Sequence, residues 1–349
     1  MANAILTPAI DALASRRDLS TDEAAAVLAE IMHGDVTEVQ IAAFLIALRT
    51  KGETVEELAG LARTMRELAA HVPTDRHDLL DTAGTGGGRS TFNVSTTAAL
   101  IAAGAGCAVA KHGNRSATSR SGSADLLEAL GARIDLGPVQ VADCIADSGF
   151  GFMFAPAHHQ ATRFVVPVRH QLAVRTIFNL LGPLTNPAGA RRQLVGVSDP
   201  GFLEKMGGAL AQLGVDRALI VSSEDGLDEI SSAAPTRVVE VNGPELRSYV
   251  LNPADVGIEA DGGETLAGGS PEENAAVTRA ILQPAGKAHA GEALAAINAG
   301  AAIYAAGAVA SIAEGVEAAR EAISDGRAAG ALDGYVAASI RHAPAGAAR

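Results

Sequence analysis

With 349 residues the chain is long enough for one large or two moderate domains with a substantial buried core. Its 27 Lys plus Arg against 40 Asp plus Glu give a formal net charge of −13, and no dense basic run or aromatic-interleaved stripe interrupts that balance, which argues against a nucleic-acid partner. The two cysteines, Cys107 and Cys144, lack CxxC spacing and a histidine cluster, so they read as small buried residues in a reducing compartment rather than zinc ligands. The opening Met-Ala-Asn-Ala-Ile-Leu has no basic stretch followed by an apolar core, and the cytoplasm is the expected location.

In chain order, the first 70 residues predict three helices. Ser20 with Glu23, Thr37 with Gln40 and Thr54 with Glu57 each match the capping box, in which a hydroxyl takes an orphan amide and the side chain three residues on reaches back. Gly34 and Gly52 stop the first two, and Val27, Leu28, Ile31, then Ile41, Phe44, Leu45, Leu48, then Leu58, Leu61, Met65, Leu68 each line one helical face. A small helical bundle follows from this pattern. After Pro73, β-type runs at 79–82, 107–111, 150–155, 193–197, 218–222 and 238–241 alternate with helical stretches, including 94–103 and 124–130. Such alternation predicts an α/β domain with a largely parallel sheet. Residues 182–189 read as a rigid turn, 262–271 as a surface loop, and 343–349 as a flexible tail. The 20 residues 294–313 carry no formal charge, but they are mostly alanine and glycine and contain Asn298, so they predict a close-packed interior helix pair rather than a membrane span.

Two polar loops carry the chemistry. The first, Asp81-Thr-Ala-Gly84-Thr-Gly86-Gly87-Gly88-Arg-Ser-Thr91-Phe-Asn93-Val94-Ser95-Thr96, joins a strand to a helix N-terminus through four glycines; it is either a turn or a cradle for pyrophosphate. It is neither a Walker A loop, lacking the Lys, nor a dinucleotide fingerprint, lacking the third glycine. The second, Lys111-His112-Gly113-Asn114-Arg115-Ser-Ala-Thr-Ser119-Arg-Ser-Gly-Ser123, presents cations and five hydroxyls, as an exposed turn or as a second anion site. Two such loops suggest a ligand with two phosphate groups, placed beyond the carboxyl ends of the strands. Asp228-Glu229 follows the run at 218–222 and is either a surface pair or a Mg²⁺ site, since that ion takes one or two carboxylates plus substrate phosphates. Arg169, in an apolar segment, either snorkels or reads a carboxylate, and Arg175 follows it; His158-His159 lacks a carboxylate to complete a metal set.

Over nearly its whole length the chain resembles the anthranilate phosphoribosyltransferases. The motifs in order are Gly-Thr-Gly-Gly, Asn-Val-Ser-Thr, Lys-His-Gly-Asn-Arg, Ser-Gly-Ser-Ala-Asp125, Arg175-Thr-Ile-Phe-Asn-Leu-Leu-Gly-Pro-Leu-Thr-Asn-Pro187, Gly-Leu-Asp-Glu-Ile-Ser231 and the helix with Tyr304. The resemblance implies transfer of a phosphoribosyl group from phosphoribosyl pyrophosphate to anthranilate, and a helical domain (1–72 with part of 160–190) joined to an α/β domain (73–342), as in pyrimidine nucleoside phosphorylases. It further implies Mg²⁺ and a homodimer. By matching position, Gly84, Gly87, Gly88, Thr91, Asn93, Val94, Ser95, Thr96, Lys111, His112, Gly113, Asn114, Arg115, Ser119 and Ser123 would hold phosphoribosyl pyrophosphate, with Lys111 catalytic. Ser95, Asp228 and Glu229 would serve Mg²⁺, and Gly84, Asn114 and Arg169 would contact anthranilate. The chain departs from the family pattern in two places. The family's Gly-Thr-Gly-Gly-Asp-Gly is Gly84-Thr-Gly-Gly-Gly-Arg-Ser-Thr91 here, one residue shorter and without the aspartate, and its His-His-Pro-Ala-Met-Arg is His158-His-Gln-Ala-Thr-Arg163, a more polar channel mouth. Rival readings are a pyrimidine nucleoside phosphorylase-like enzyme and a non-enzymatic nucleic-acid-binding relative.

Overall fold

The computed structural model describes residues 3–116, 119–259, 267–284 and 291–344; part of the anticipated loop at 262–271 and most of the tail at 343–349 lie outside these. Four helices open the chain, α1 (Leu6–Ala14), α2 (Thr21–His33), α3 (Glu38–Lys51) and α4 (Val55–Glu67). The three expected capping boxes form at the N-termini of α2, α3 and α4. Helix α1 is additional to the three expected and carries no such signal, because its cap residue, Ile5, makes no side-chain bond; Asn3 upstream accepts the Ile5 and Leu6 amides instead.

The α/β part alternates strand and helix: β1 (Leu80–Gly84), α5 (Val94–Gly104), β2 (Val109–Gly113), α6 (Ser123–Ala129), α7 (Pro138–Ser148), β3 (Phe150–Phe154), α8 (Ala155–His158), α9 (Val166–Leu172), α10 (Phe178–Leu184), β4 (Arg192–Gly196), α11 (Leu203–Gln212) and β5 (Arg217–Ser223). Then come β6 (Thr236–Asn242), β7 (Glu245–Leu251), α12 (Pro271–Leu282), α13 (Glu292–Ala305), α14 (Ile312–Ser324) and α15 (Arg327–His342). The strands form one sheet in the order β3-β2-β1-β4-β5-β6-β7, parallel through β5 and antiparallel at β6 and β7.

Period-2 alternation splits the sheet's side chains between two cores. Leu194, Leu219, Val221 and Val238 pack toward α5, α6, α7 and α12 to α15, whereas Val195, Ala218, Ile220, Val239 and Val241 pack toward α11 and α10. The second core is continuous with the bundle: Phe44, Leu45, Leu58 and Leu61 share it with Val165, Val168, Ile177, Phe178 and Leu181. Each fully buried aliphatic or aromatic side chain of this kind contributes about 1.5–3 kcal/mol of transfer free energy.

Two sequence expectations need correction. Residues 182–184 are not part of a turn: they close α10, with Pro183 inside the helix, and the non-helical connection begins at Thr185. Strand β7 is additional to the expected runs; it is a sheet edge with only Leu251 buried, so no apolar alternation marks it. The uncharged stretch is interior along α13, as expected, but Gly307, Ala308 and Ala310, in the connection to α14, are exposed. Helix α13 buries Leu294 through Ile303, and α14 crosses it so closely that a Cβ on Gly315 would stand 2.1 Å from the Gly300 carbonyl oxygen. Among the described residues, no helix is long and apolar enough to cross a membrane.

Candidate active site

Parallel strands β1, β2, β4 and β5 deliver their C-terminal loops to one edge of the sheet, where a cavity of about 1180 Å³ opens. Both polar loops line it, together with Asp228, Glu229 and, on the side of α9 and α10, His159, Arg169, Arg175 and Phe178.

The first loop is folded onto the carboxylate loop that follows β5. Thr85 and Arg89 donate their amides to the carbonyls of Gly196 and Gly226 at 2.9 and 2.8 Å. Glycine is required where the two meet. A Cβ on Gly88 would stand 2.4 Å from Asp228 Oδ1, one on Gly84 3.3 Å from Asp228 Oδ2, and one on Gly196 1.7 Å from the Asp228 carbonyl oxygen. Gly88, standing in the shortened segment of this loop, thus has no side chain because Asp228 occupies that space. Asn298, the polar residue of α13, donates to the Ile230 carbonyl and accepts the Ile230 amide at 2.8 and 2.9 Å, fixing the backbone just beyond Glu229.

Lys111, on β2, is 1% exposed. Its Nζ donates to the Thr82 carbonyl, to Thr82 Oγ1 at 3.2 Å and to Ser95 Oγ at 3.4 Å, which places the ammonium between the end of β1 and the start of α5. Burial pushes Lys111 down to about 8 and Glu229 up to about 8; each shift is opposed by the other's charge, and Glu229 is raised further by Asp228. Asp228 is also raised by burial, against the pull of the Gly86 amide and Arg175. The Ser95 amide pulls Glu229 the other way, toward the ionised form.

These groups fit Mg²⁺. Two neighbouring desolvated carboxylates beside the Ser95 hydroxyl form an oxygen donor set whose mutual repulsion a divalent cation would offset. Among the described residues no cluster of three or more His, Cys, Asp or Glu side chains is present, so the remaining ligands would have to be water and substrate oxygens.

The second loop and its neighbours are tied together by Asn93. Its Nδ2 donates to the Ser121 carbonyl at 3.1 Å, and its Oδ1 accepts from Ser121 Oγ at 3.1 Å and Asn274 Nδ2 at 2.8 Å. Ser119 Oγ donates to the Ser121 carbonyl at 3.1 Å, Asn114 Oδ1 accepts the Arg115 amide at 2.7 Å, and Ser123 begins α6. Arg115 lines the cavity but is held by Asp125 and Glu128 at 2.7 and 2.5 Å. Gly113 abuts Phe152 and Ser123, where a Cβ would come within 2.8 and 3.0 Å. Thr91 and Val94 line the cavity, whereas Thr96 does not: it is wholly buried and its Oγ1 has no partner among the described residues.

Arg169 reaches the same cavity from α9, its guanidinium 5.6 Å from the Phe178 ring centroid. Burial lowers its proton affinity, and among the described residues no carboxylate pairs with it. The same cavity is lined by two imidazoles, His112 and His159, with ring centroids 5.0 Å apart and Nε2 atoms lacking partners among the described residues. Burial depresses them to about 3 and about 4, so both are neutral at pH 7. Phe178 lines the cavity without having been singled out in the sequence, whereas Arg175 appears there only as the arginine that follows Arg169 and His159 only within a pair weighed as metal ligands.

Glycine-rich and basic loops, a pair of carboxylates and an arginine with no carboxylate partner among the described residues share one cavity, an arrangement suited to an anionic ligand and a divalent cation. The glycosyl transferase family's a/b domain matches residues 76–329 and its helical bundle domain residues 7–69. Anthranilate phosphoribosyltransferase of Rubrobacter xylanophilus is 49% identical over 344 residues, covering 98% of this chain and all of that protein. The crystal structure of anthranilate phosphoribosyltransferase from Thermus thermophilus superimposes with a TM-score of 0.90 at 46% identity, covering 95% of this chain and 99% of that one. The Saccharomyces cerevisiae enzyme in complex with PRPP and Mg gives 0.87 at 28% identity, with 97% and 99% covered. The chain belongs to the anthranilate phosphoribosyltransferase family.

Proposed function

We propose that the protein transfers the phosphoribosyl group of phosphoribosyl pyrophosphate to the amine of anthranilate, giving N-(5-phosphoribosyl)anthranilate and pyrophosphate in tryptophan biosynthesis. The observation that carries this reading is the half-buried Arg169 guanidinium, without a carboxylate partner among the described residues, across one cavity from two phosphate-type loops and a carboxylate pair. A pyrimidine nucleoside phosphorylase, whose substrates carry no carboxylate, would not need a carboxylate-reading arginine or the Asp228-Glu229 metal pair.

In this assignment Gly84, Gly87, Gly88, Thr91, Asn93, Val94, Ser95, Lys111, His112, Gly113, Asn114, Arg115, Ser119 and Ser123 surround phosphoribosyl pyrophosphate. Thr96 supports α5 from within the core rather than touching ligand. Mg²⁺ held by Asp228, Glu229 and Ser95 supplies charge neutralisation to the pyrophosphate. Lys111 presents its ammonium to the negative charge that grows as the bond from C1 to pyrophosphate breaks, and the loop amides hold the ribosyl unit while C1 gains oxocarbenium character. Arg169 orients anthranilate through its carboxylate, with Gly84 and Asn114 flanking the ring and the neutral His112 and His159 beside it. The aromatic amine is already unprotonated at pH 7, so positioning and electrostatics suffice and no general base is assigned.

Helix α3 supports a homodimer. Ile41, Phe44, Leu45 and Leu48 face the core, while Val39 and Ile46, 77% and 37% exposed, lie with Ala43 on the opposite face, an apolar stripe suited to a second copy. The core shared by α1 to α4 with Val165, Val168 and Ile177 supports a helical unit of 1–72 plus part of 160–190, set against an α/β unit of 73–342. The cytoplasm, where the substrates of a biosynthetic enzyme are found, is the assigned location. The assay is loss of anthranilate fluorescence in phosphoribosyl pyrophosphate and Mg²⁺, with product and pyrophosphate formed one to one. Anthranilate left unchanged, with a pyrimidine nucleoside cleaved by phosphate instead, would reject the assignment.

A further inference from the structure

Arg175 does more than line the cavity wall. From the connection between α9 and α10, its Nη1 donates to the Gly86 carbonyl at 2.8 Å and its Nη2 to the Thr85 carbonyl at 3.4 Å. The guanidinium lies directly against Gly87, where a Cβ would stand 1.8 Å from Nη1. On its other side Arg175 is itself held: Arg49, in the last turn of α3, donates from Nη1 to the Arg175 carbonyl at 2.7 Å. A continuous chain of hydrogen bonds therefore runs from the helical bundle to the glycine-rich loop.

The consequence comes from peptide planarity. In a trans peptide the C=O and the following N–H point in opposite directions, so fixing one fixes the other. Holding the Thr85 carbonyl points the Gly86 N–H the opposite way, to the side of Asp228, whose carboxyl that amide helps keep ionised. Holding the Gly86 carbonyl turns the Gly87 N–H away from Arg175. Gly86 and Gly87 adopt φ of +64° and +89°, and with no Cβ on either side the peptide between them can rotate at little steric cost. Left to itself, that peptide would present its carbonyl or its amide to a ligand with little preference, and only the amide attracts a phosphate oxygen.

We infer that Arg175 is a positioning residue that locks the 85–87 peptides with the Gly87 amide available to pyrophosphate, and that Arg49 holds Arg175 in place from the helical bundle. This rests on the reading of the first loop as the pyrophosphate cradle. Arg175 acts on the substrate through the backbone it holds rather than through the chemistry of transfer.

Three variants of the full-length protein test it: Arg175→Ala, Arg175→Lys and Arg49→Ala. Arg175→Ala is expected to raise the KM for phosphoribosyl pyrophosphate on the order of tenfold or more, because charged hydrogen bonds to two carbonyls are lost, with the anthranilate KM within about twofold of wild type. Arg175→Lys keeps the charge but not the planar fork and should recover part of the loss, whereas Arg49→Ala should move the same parameter in the same direction by a few-fold. Hydrogen exchange in the protein without any substrate supplies a readout independent of activity. The peptide spanning 84–92 should exchange faster in Arg175→Ala, with the β-sheet core unchanged.

Equal rises in both KM values would overturn the inference, as would unchanged exchange at 84–92, or exchange that rises throughout the chain. If the wild-type protein does not consume phosphoribosyl pyrophosphate, the transferase reading fails while exchange still decides whether Arg175 locks the loop. If Arg175→Ala does not fold, Arg175→Lys and Arg49→Ala still give both readouts.

Discussion

Replacing Arg169 by Ala separates substrate reading from stability. The guanidinium is half-buried, so burial lowers its proton affinity, and the Phe178 ring centroid lies 5.6 Å from it. Losing that contact costs about 0.5–1 kcal/mol, partly offset by removing a desolvated charge, so the melting temperature should fall by no more than about 4 °C. A substrate carboxylate, by contrast, would lose a charged hydrogen-bond partner worth ~1.5–3 kcal/mol, which corresponds to a rise in anthranilate KM of roughly 10- to 150-fold. Steady-state kinetics by anthranilate fluorescence, with each substrate varied at saturating levels of the other, reads both constants. The phosphoribosyl pyrophosphate KM should remain within about twofold, and Arg169→Lys should restore only part of the loss, because a point charge cannot engage a carboxylate bidentately. Equal changes in both KM values, or an anthranilate KM that does not move, would refute the assignment.

Exchanging Asp228 and Glu229 together for Asn and Gln should abolish Mg²⁺-dependent turnover while thermal unfolding stays cooperative, since burial already disfavours both charges; activity retained at ordinary Mg²⁺ would place the metal elsewhere. Gly88→Ala should cut turnover at least tenfold by displacing Asp228, whose Oδ1 would lie 2.4 Å from the new Cβ, and a kinetically silent variant would show that the two loops need not meet. Inserting an aspartate between Gly87 and Gly88 should make activity more sensitive to excess Mg²⁺, as measured by rate against metal concentration; superimposable profiles would make the shortened loop a neutral change. His159 is depressed to about 4 in the fold, so between pH 6.5 and 4 the unfolded chain binds its proton and the folded one does not. Wild type should therefore lose about 1.4 kcal/mol per pH unit relative to His159→Asn as pH falls through that window, read by urea midpoints; parallel pH profiles would contradict the buried, neutral ring.

Much of the architecture is legible in the sequence because its signals are local. Capping boxes at Ser20, Thr37 and Thr54 act within one helical turn, and β3 and β5 are short apolar runs. Elements whose definition lies elsewhere in space are not legible: α1 is capped from Asn3, and β7 is a strand only because β6 pairs with it. The same division holds at the site. Glycines and hydroxyls mark both loops, but helical phase separates Ser95, on the cavity, from Thr96, turned about 100° into the core. Arg175 is 89 residues from the Gly86 carbonyl it binds, and no local pattern encodes such a contact.

The most direct measurement is a crystal structure of the protein with Mg²⁺, phosphoribosyl pyrophosphate and an unreactive anthranilate analogue that keeps the carboxylate. The account predicts the pyrophosphate against the Gly84–Thr91 loop, with the metal on Asp228 and Glu229. It also predicts the analogue's carboxylate within about 3 Å of the Arg169 guanidinium. A carboxylate bound elsewhere, with Arg169 contacting only protein and solvent, would contradict it.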